Sequence, residues 1–127
     1  MVHGDLRYTK DHEWIRFKAG AGIVGITDYA QRVLGDITRV ELPQVGRKAG
    51  KHCELGVVES VKAASDIFSP VAGTVAEVNL GLGDKPELIN LDPYGMGWIC
   101  RLEGVNEDDV TGLLTAGEYE ALTSKGE

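Results

Sequence analysis

The sequence predicts an α+β chain that is mainly β: a flattened sandwich of short antiparallel strands, with one short helix in the first half and helices at the C-terminal end. Three observations predict it. Short runs alternate between apolar and polar residues, as in Cys53, Leu55 and Val57 set against His52, Glu54 and Gly56, which is the pattern of half-buried strands. The 17 glycines suit many turns between short strands. The pattern Gly35-Asp36-Ile37-x-x-Val40-x-Leu42 recurs as Gly73-Thr74-Val75-x-x-Val78-x-Leu80, as two similar halves of one flattened barrel would show. At 127 residues the chain reads as a single domain, 1–127, long enough for a real core. Residues 1–5 read as a loose tail and 106–123 as a helical appendage.

The elements follow in order. Leu6 to Lys18 holds one or two strands, with Trp14 as core and Ile15 and Phe17 adding apolar bulk. Ala19 to Gly22 is a turn, and Ile23 to Thr27 is a strand. Asp28 starts a short helix, capping its free N–H groups, with Gln31 three residues on as the second half of a capping-box-like pair. Tyr29, Val33 and Leu34 recur at helical spacing, and Gly35 ends the helix. Asp36 to Leu42 is a strand with Val40 and Leu42 on one face and Arg39 and Glu41 on the other. Pro43, Gly46 and Gly50 make a loop into the next hairpin. Leu80 to Pro86 reads as a loop, and Pro86 to Asn90 as one helical turn with proline first. Pro93 to Gly97 is turn chemistry, and Trp98 to Leu102 is the last strand. Asn106 caps a helix with Glu107, Asp108 and Asp109 in its first turn, and Leu113 and Leu114 give it an apolar side. Thr115 and Glu118 form a second capping box before Tyr119 and Leu122.

The chain is organised around Lys62. Strand-like runs flank Ser60-Val61-Lys62-Ala63, which contains neither Gly nor Pro and suits a type I turn at a hairpin tip. Ala63 and Ala64 leave the lysine without bulky neighbours on that side. Three readings fit a lysine so placed. Most exposed lysines only solvate a surface. A Schiff-base lysine needs a desolvated amine, which a tip does not readily supply. A covalent tether needs an accessible amine on a rigid apex, the arrangement group carriers use for lipoamide and biotin.

Glu59-Ser60-Val61-Lys62-Ala63-Ala64-Ser65-Asp66, followed by Ser69-Pro70-Val71-Ala72-Gly73, closely resembles the lipoylation motif of the glycine cleavage system H-protein family. The blocks Tyr8–Trp14, Val24–Gln31, Glu41-Leu42-Pro43 and Pro93–Trp98 resemble the same family in the same order, so the likeness runs from about Leu6 to Leu122. The resemblance implies the lipoyl/biotinyl carrier fold, a barrel-sandwich hybrid. It also implies lipoic acid joined by an amide to Lys62 on a protein that is not itself an enzyme. Such a protein shuttles its arm between a pyridoxal-phosphate glycine decarboxylase, a tetrahydrofolate-dependent aminomethyltransferase and an FAD-containing dihydrolipoamide dehydrogenase. A separate lipoylating enzyme attaches the arm. Glu59 is expected on the exposed approach to the tip, as a recognition element for that enzyme. Glu13 and Asp66 are expected to form an acidic resting place for the loaded arm, because an opposite charge stabilises its cationic amine.

Rival readings remain at this point. Biotin sites usually carry Met on both sides of the lysine, and ordinary lipoyl domains carry Asp before it, whereas here the neighbours are Val61 and Ala63. A relay that donates lipoyl groups to other complexes is an alternative within the carrier class. A Schiff-base enzyme using Lys62 with Glu59 or Asp66 is the alternative from another class. A structural module carrying no modification is a further one.

The net charge of −7 and pI near 4.9 argue against nucleic-acid binding, which wants a basic face, and otherwise favour solubility. Cys53 and Cys100 fall in predicted strands and read as buried free thiols of a reducing compartment, with a disulfide as the alternative. His3, His12 and His52 lack metal-ligand spacing, although His12 could line the cleft. No apolar run approaches a membrane span, and Met1 to Asp5 has neither a signal core nor an import leader. The expectation is a cytoplasmic, bacterial monomer, with a mature mitochondrial protein as the alternative.

Overall fold

A computed structural model describes residues 5–126, so four of the five residues of the expected tail lie outside the described part. Nine strands and five short helices are formed among the described residues. The strands are β1 (Arg7–Tyr8), β2 (Glu13–Lys18), β3 (Ala21–Ile26), β4 (Ile37–Glu41), β5 (Lys48–Ala49), β6 (Glu54–Ser60), β7 (Ala64–Phe68), β8 (Gly73–Val78) and β9 (Cys100–Glu103). The helices are α1 (Asp28–Leu34), α2 (Gly81–Asp84), α3 (Leu88–Leu91), α4 (Glu107–Thr111) and α5 (Ala116–Gly126).

Two antiparallel sheets are built. One has the order β1-β2-β3-β9-β8-β5, the other β4-β6-β7. The two matched segments of the sequence repeat fall in β4 and β8, one in each sheet, and their matched residues Ile37 and Val75 are both buried. Ile15, Val24, Leu55, Val58, Ile67, Val75 and Leu102 belong to one apolar core, to which both sheets contribute. Successive residues of a strand face opposite ways, so Trp14, next to Ile15, lies on the other side of the larger sheet. There it joins Leu6, Tyr8 and Tyr119 in a second cluster. The C-terminal helix is thus held by a buried aromatic ring, stacked on Tyr8 at 4.7 Å between centroids.

Several boundaries differ from those the sequence predicts. The cap of α1 is Thr27, whose Oγ1 accepts from Ala30 N at 3.2 Å. Asp28 is the first helical residue and instead binds Gln31 and Arg32 with its carboxylate. Helix α2 occupies the segment expected as loop, and α3 begins at Leu88 rather than at Pro86. The last strand begins at Cys100, although Ile99 already donates its N–H to Val24 O at 2.8 Å. A register shift between Glu54 and Gly56 breaks the simple alternation at the start of β6. Leu55 and Val58 are the buried apolar side chains there, and Cys53 is exposed just outside the strand. Cys100 is buried, and both thiols are free. Asn106 and the Thr115–Glu118 box cap α4 and α5 as expected.

Candidate functional site

Strands β6 and β7 form a hairpin in which Glu59 pairs with Ala64 and Val57 with Asp66. Its tip closes through Ser60 N donating to Ala63 O at 2.7 Å. Ser60 Oγ accepts from the amides of Lys62 and Ala63, at 3.3 and 3.1 Å. The serine thus satisfies a turn that has few other partners. None of the four tip residues has positive φ, as the absence of glycine demands. Lys62 is exposed at this tip, and Val61 beside it is 75% exposed. No described carboxylate forms an ion pair with Lys62. The amine is therefore reachable, and it is not held by a local counter-charge.

The floor beneath the lysine is the corner between α1 and β4. Gly35 has φ +82°, and a Cβ placed on it would lie 3.6 Å from Lys62 Cε. A glycine here admits the left-handed backbone and leaves room for the lysine stem. Asp36 O accepts from Val61 N at 3.2 Å, tying the corner to the tip.

Glu59 is half-buried rather than freely presented, and Arg39 Nη1 donates to its Oε2 at 2.9 Å. Asp66 is exposed in the middle of β7. Glu13 is only 2% exposed. Its Oε1 accepts from Thr9 Oγ1 at 2.5 Å, and its Oε2 from Phe68 N at 3.2 Å, so it bridges the larger sheet to the base of the lysine hairpin. Burial pushes its carboxyl up to about 7, against the downward pull of the Thr9 and Phe68 bonds. The five residues of β7 carry the chain from Ala63 to Phe68, which is roughly 17 Å of β-structure. Asp66 lies between. A recess of about 280 Å³ lined by Lys10, Asp11, His52 and Phe68 adjoins this end of the hairpin.

Sequence reasoning named Lys62, Glu59, Glu13 and Asp66 but missed what supports them. Thr9, Arg39 and Gly35 are the nearest supports. Further off, His12 stands at φ +73° with Nδ1 2.8 Å from Tyr119 Oη, which in turn lies 2.7 Å from Thr27 Oγ1. Burial lowers the His12 pKa, against the opposing pull of Asp11. Among the described residues no group of His, Cys, Asp and Glu is arranged to hold a metal ion.

Two facing sheets of the barrel-sandwich type, with an exposed lysine at the apex of one hairpin, define a carrier domain: a fold that presents one amine rather than enclosing a substrate. Comparison with known proteins agrees and is more specific. Residues 6–126 match the family model for the glycine cleavage H-protein. The glycine cleavage system H protein of Symbiobacterium thermophilum is 53% identical over 98% of this chain and 98% of its own length. That of Carboxydothermus hydrogenoformans is 49% identical over 96% of this chain and 94% of its own. A crystal structure of a glycine cleavage system H protein from Mycobacterium marinum superposes with a TM-score of 0.86 at 40% identity, covering 97% of this chain and 99% of that one. The chain belongs to the glycine cleavage H-protein family, the lipoyl-carrying shuttle component of that system.

Proposed function

We propose that Lys62 is the residue that bears the lipoyl group. The observation that carries this is the exposed amine at the hairpin apex, with small neighbours on one side and a glycine floor beneath it. These residues fit an amide-linked arm: Lys62 is exposed at the tip, and the Gly35 corner beneath it carries no side chain that would crowd the stem. When bound, lipoate supplies a dithiolane that accepts a one-carbon amine on sulfur and carries two electrons.

The chain's own part is presentation. It makes no bond itself and is not an enzyme. It receives an aminomethyl group from a pyridoxal-phosphate glycine decarboxylase and surrenders it to a tetrahydrofolate-dependent aminomethyltransferase. Electrons pass to an FAD-dependent dihydrolipoamide dehydrogenase. A lipoylating enzyme reads the tip, with Glu59, fixed by Arg39, as part of what it reads. Asp66, exposed midway along β7, marks a path from the tip to the recess at the hairpin base, where Asp11 offers a carboxylate to the cationic load, and Glu13, expected in this resting place, lies buried behind it and bound to Thr9 and Phe68. The protein works as a cytoplasmic monomer. The exposure of Lys62 counts against the Schiff-base alternative, which needs a dry amine.

The test is intact mass after expression with lipoate available. The native chain should gain the mass of one lipoyl group, and peptide mapping should place it on Lys62. Lys62→Arg should gain nothing. A lipoyl mass persisting on Lys62→Arg would sink the assignment.

A further inference from the structure

We infer that Asn90 is a positioning residue that fixes Lys62 for acylation and for delivery of its arm; this rests on the reading of Lys62 as the attachment point. The side chain of Asn90 uses its whole amide on one corner of the fold. Its Nδ2 donates to Gln31 Oε1 at 2.8 Å and to Gly35 O at 2.9 Å. Its Oδ1 accepts from Ile37 N at 2.9 Å. The two backbone groups it grips, Gly35 C=O and Ile37 N–H, bracket Asp36. The carbonyl of Asp36 is the group that holds Val61 N, one residue before the lysine, and Gly35 lies so close to the lysine that a Cβ on it would stand 3.6 Å from Lys62 Cε. One half-buried amide on α3 therefore fixes the strap that fixes the tip.

The chemistry is specific to an amide of this length. The corner needs two donors and one acceptor from one side chain. A carboxylate offers no donor and would face two carbonyl-type oxygens, and an alkyl group offers neither function. The hairpin does not need Asn90 for its own pairing, which runs through β6, β7 and β4. What Asn90 adds is the direction in which the apex points. If the strap samples several positions, only a fraction of molecules present Lys62 correctly, and apparent affinity for any enzyme working at the tip falls by that fraction.

The experiment uses the full chain, with and without Asn90→Asp. A purified lipoate-attaching enzyme acts on each, the exchange of backbone amides is followed by NMR, and thermal unfolding is recorded. The expected result is a KM for lipoylation raised roughly fivefold or more at a nearly unchanged kcat, because only the competent fraction binds. The Val61 amide should exchange faster by a similar factor, while Val24 and Leu102 in the larger sheet keep their protection. In the native chain, both Asn90 side-chain NH2 protons should be shielded from exchange. A KM within twofold of the native value overturns the inference. So does protection lost evenly across both sheets, which would make Asn90 a merely structural residue. Should Asn90→Asp fail to fold, freely exchanging Asn90 NH2 protons in the native chain overturn the inference, and shielded ones uphold it. Lipoylation surviving Lys62→Arg would defeat the attachment reading alone, since the exchange of Val61 and of the Asn90 amide is measured without it.

Discussion

Glu13 is buried with two hydrogen bonds, and neither Thr9 nor Phe68 N brings it a positive charge. Its carboxyl is raised from the ordinary value of 4.5 to about 7, so between those values the folded chain holds a proton that the unfolded chain has released. Stability then falls as pH rises. The contribution is fully present below about pH 4.5 and is lost as pH passes through about 7. At one pKa unit per 1.36 kcal/mol the difference amounts to roughly 3 kcal/mol. In Glu13→Gln the amide oxygen can still accept from Phe68 N, but its NH2 meets a Thr9 hydroxyl that already accepts from the Asp11 and Glu13 amides, so the titrating group is removed at the cost of one hydrogen bond. Urea unfolding should therefore find that the native chain loses up to about 3 kcal/mol relative to Glu13→Gln between pH 4 and pH 8. Equal pH slopes for the two proteins would show that Glu13 is not the group responsible. At this scale the place of Lys62 at a hairpin tip was legible because everything that defines the tip is local, two strands, a turn and small neighbours, whereas its reading as a tether came from the motif resemblance. Asn90 was not, because its partners lie 53 to 59 residues away in sequence.

At the scale of elements, the first helix shows why boundaries resist reading. Thr27-Asp28 offers two good capping residues in succession, and local chemistry does not choose between them. The choice is tertiary: Tyr119 Oη lies 2.7 Å from Thr27 Oγ1 and orients the hydroxyl that accepts from Ala30 N. Thr27→Ala removes the cap and leaves the buried Tyr119 hydroxyl with one partner fewer. The denaturation midpoint should fall by an amount worth about 1–2 kcal/mol, with an unchanged m-value. Asp28→Ala, which leaves the cap intact, should cost less. The opposite ranking would return the capping role to Asp28. The helical turn at α2 was equally hidden, since two glycines in four residues argue locally for loop. It forms because Leu82 is buried in the core, a gain that outweighs the poor propensity. The strand register around Leu55 was missed for a related reason. Gly56 sits where a Cβ would come within 2.1 Å of Glu41 O, so the chain bulges there and shifts the inward-facing set.

Across the whole molecule the two sheets meet around one apolar core, and the centre of the larger sheet is the part that opens only when the fold itself opens. Cys100 stands there. It pairs with Val24 on one side and Val78 on the other, is fully buried, and has its thiol pushed up to about 12 by desolvation. Inaccessibility and loss of thiolate act together to make it inert. Cys53, exposed ahead of β6, lacks that burial. A thiol reagent at pH 8 should therefore modify one cysteine per native chain, map to Cys53, and reach the second only in denaturant. Because Cys100 labels through opening of β3, β9 and β8, its rate should track the global unfolding equilibrium measured by circular dichroism across a urea series. Labelling of Cys100 that is already fast without urea, at a rate insensitive to denaturant, would mean that the larger sheet opens locally. The lysine hairpin would then be anchored to a frame less rigid than its burial implies.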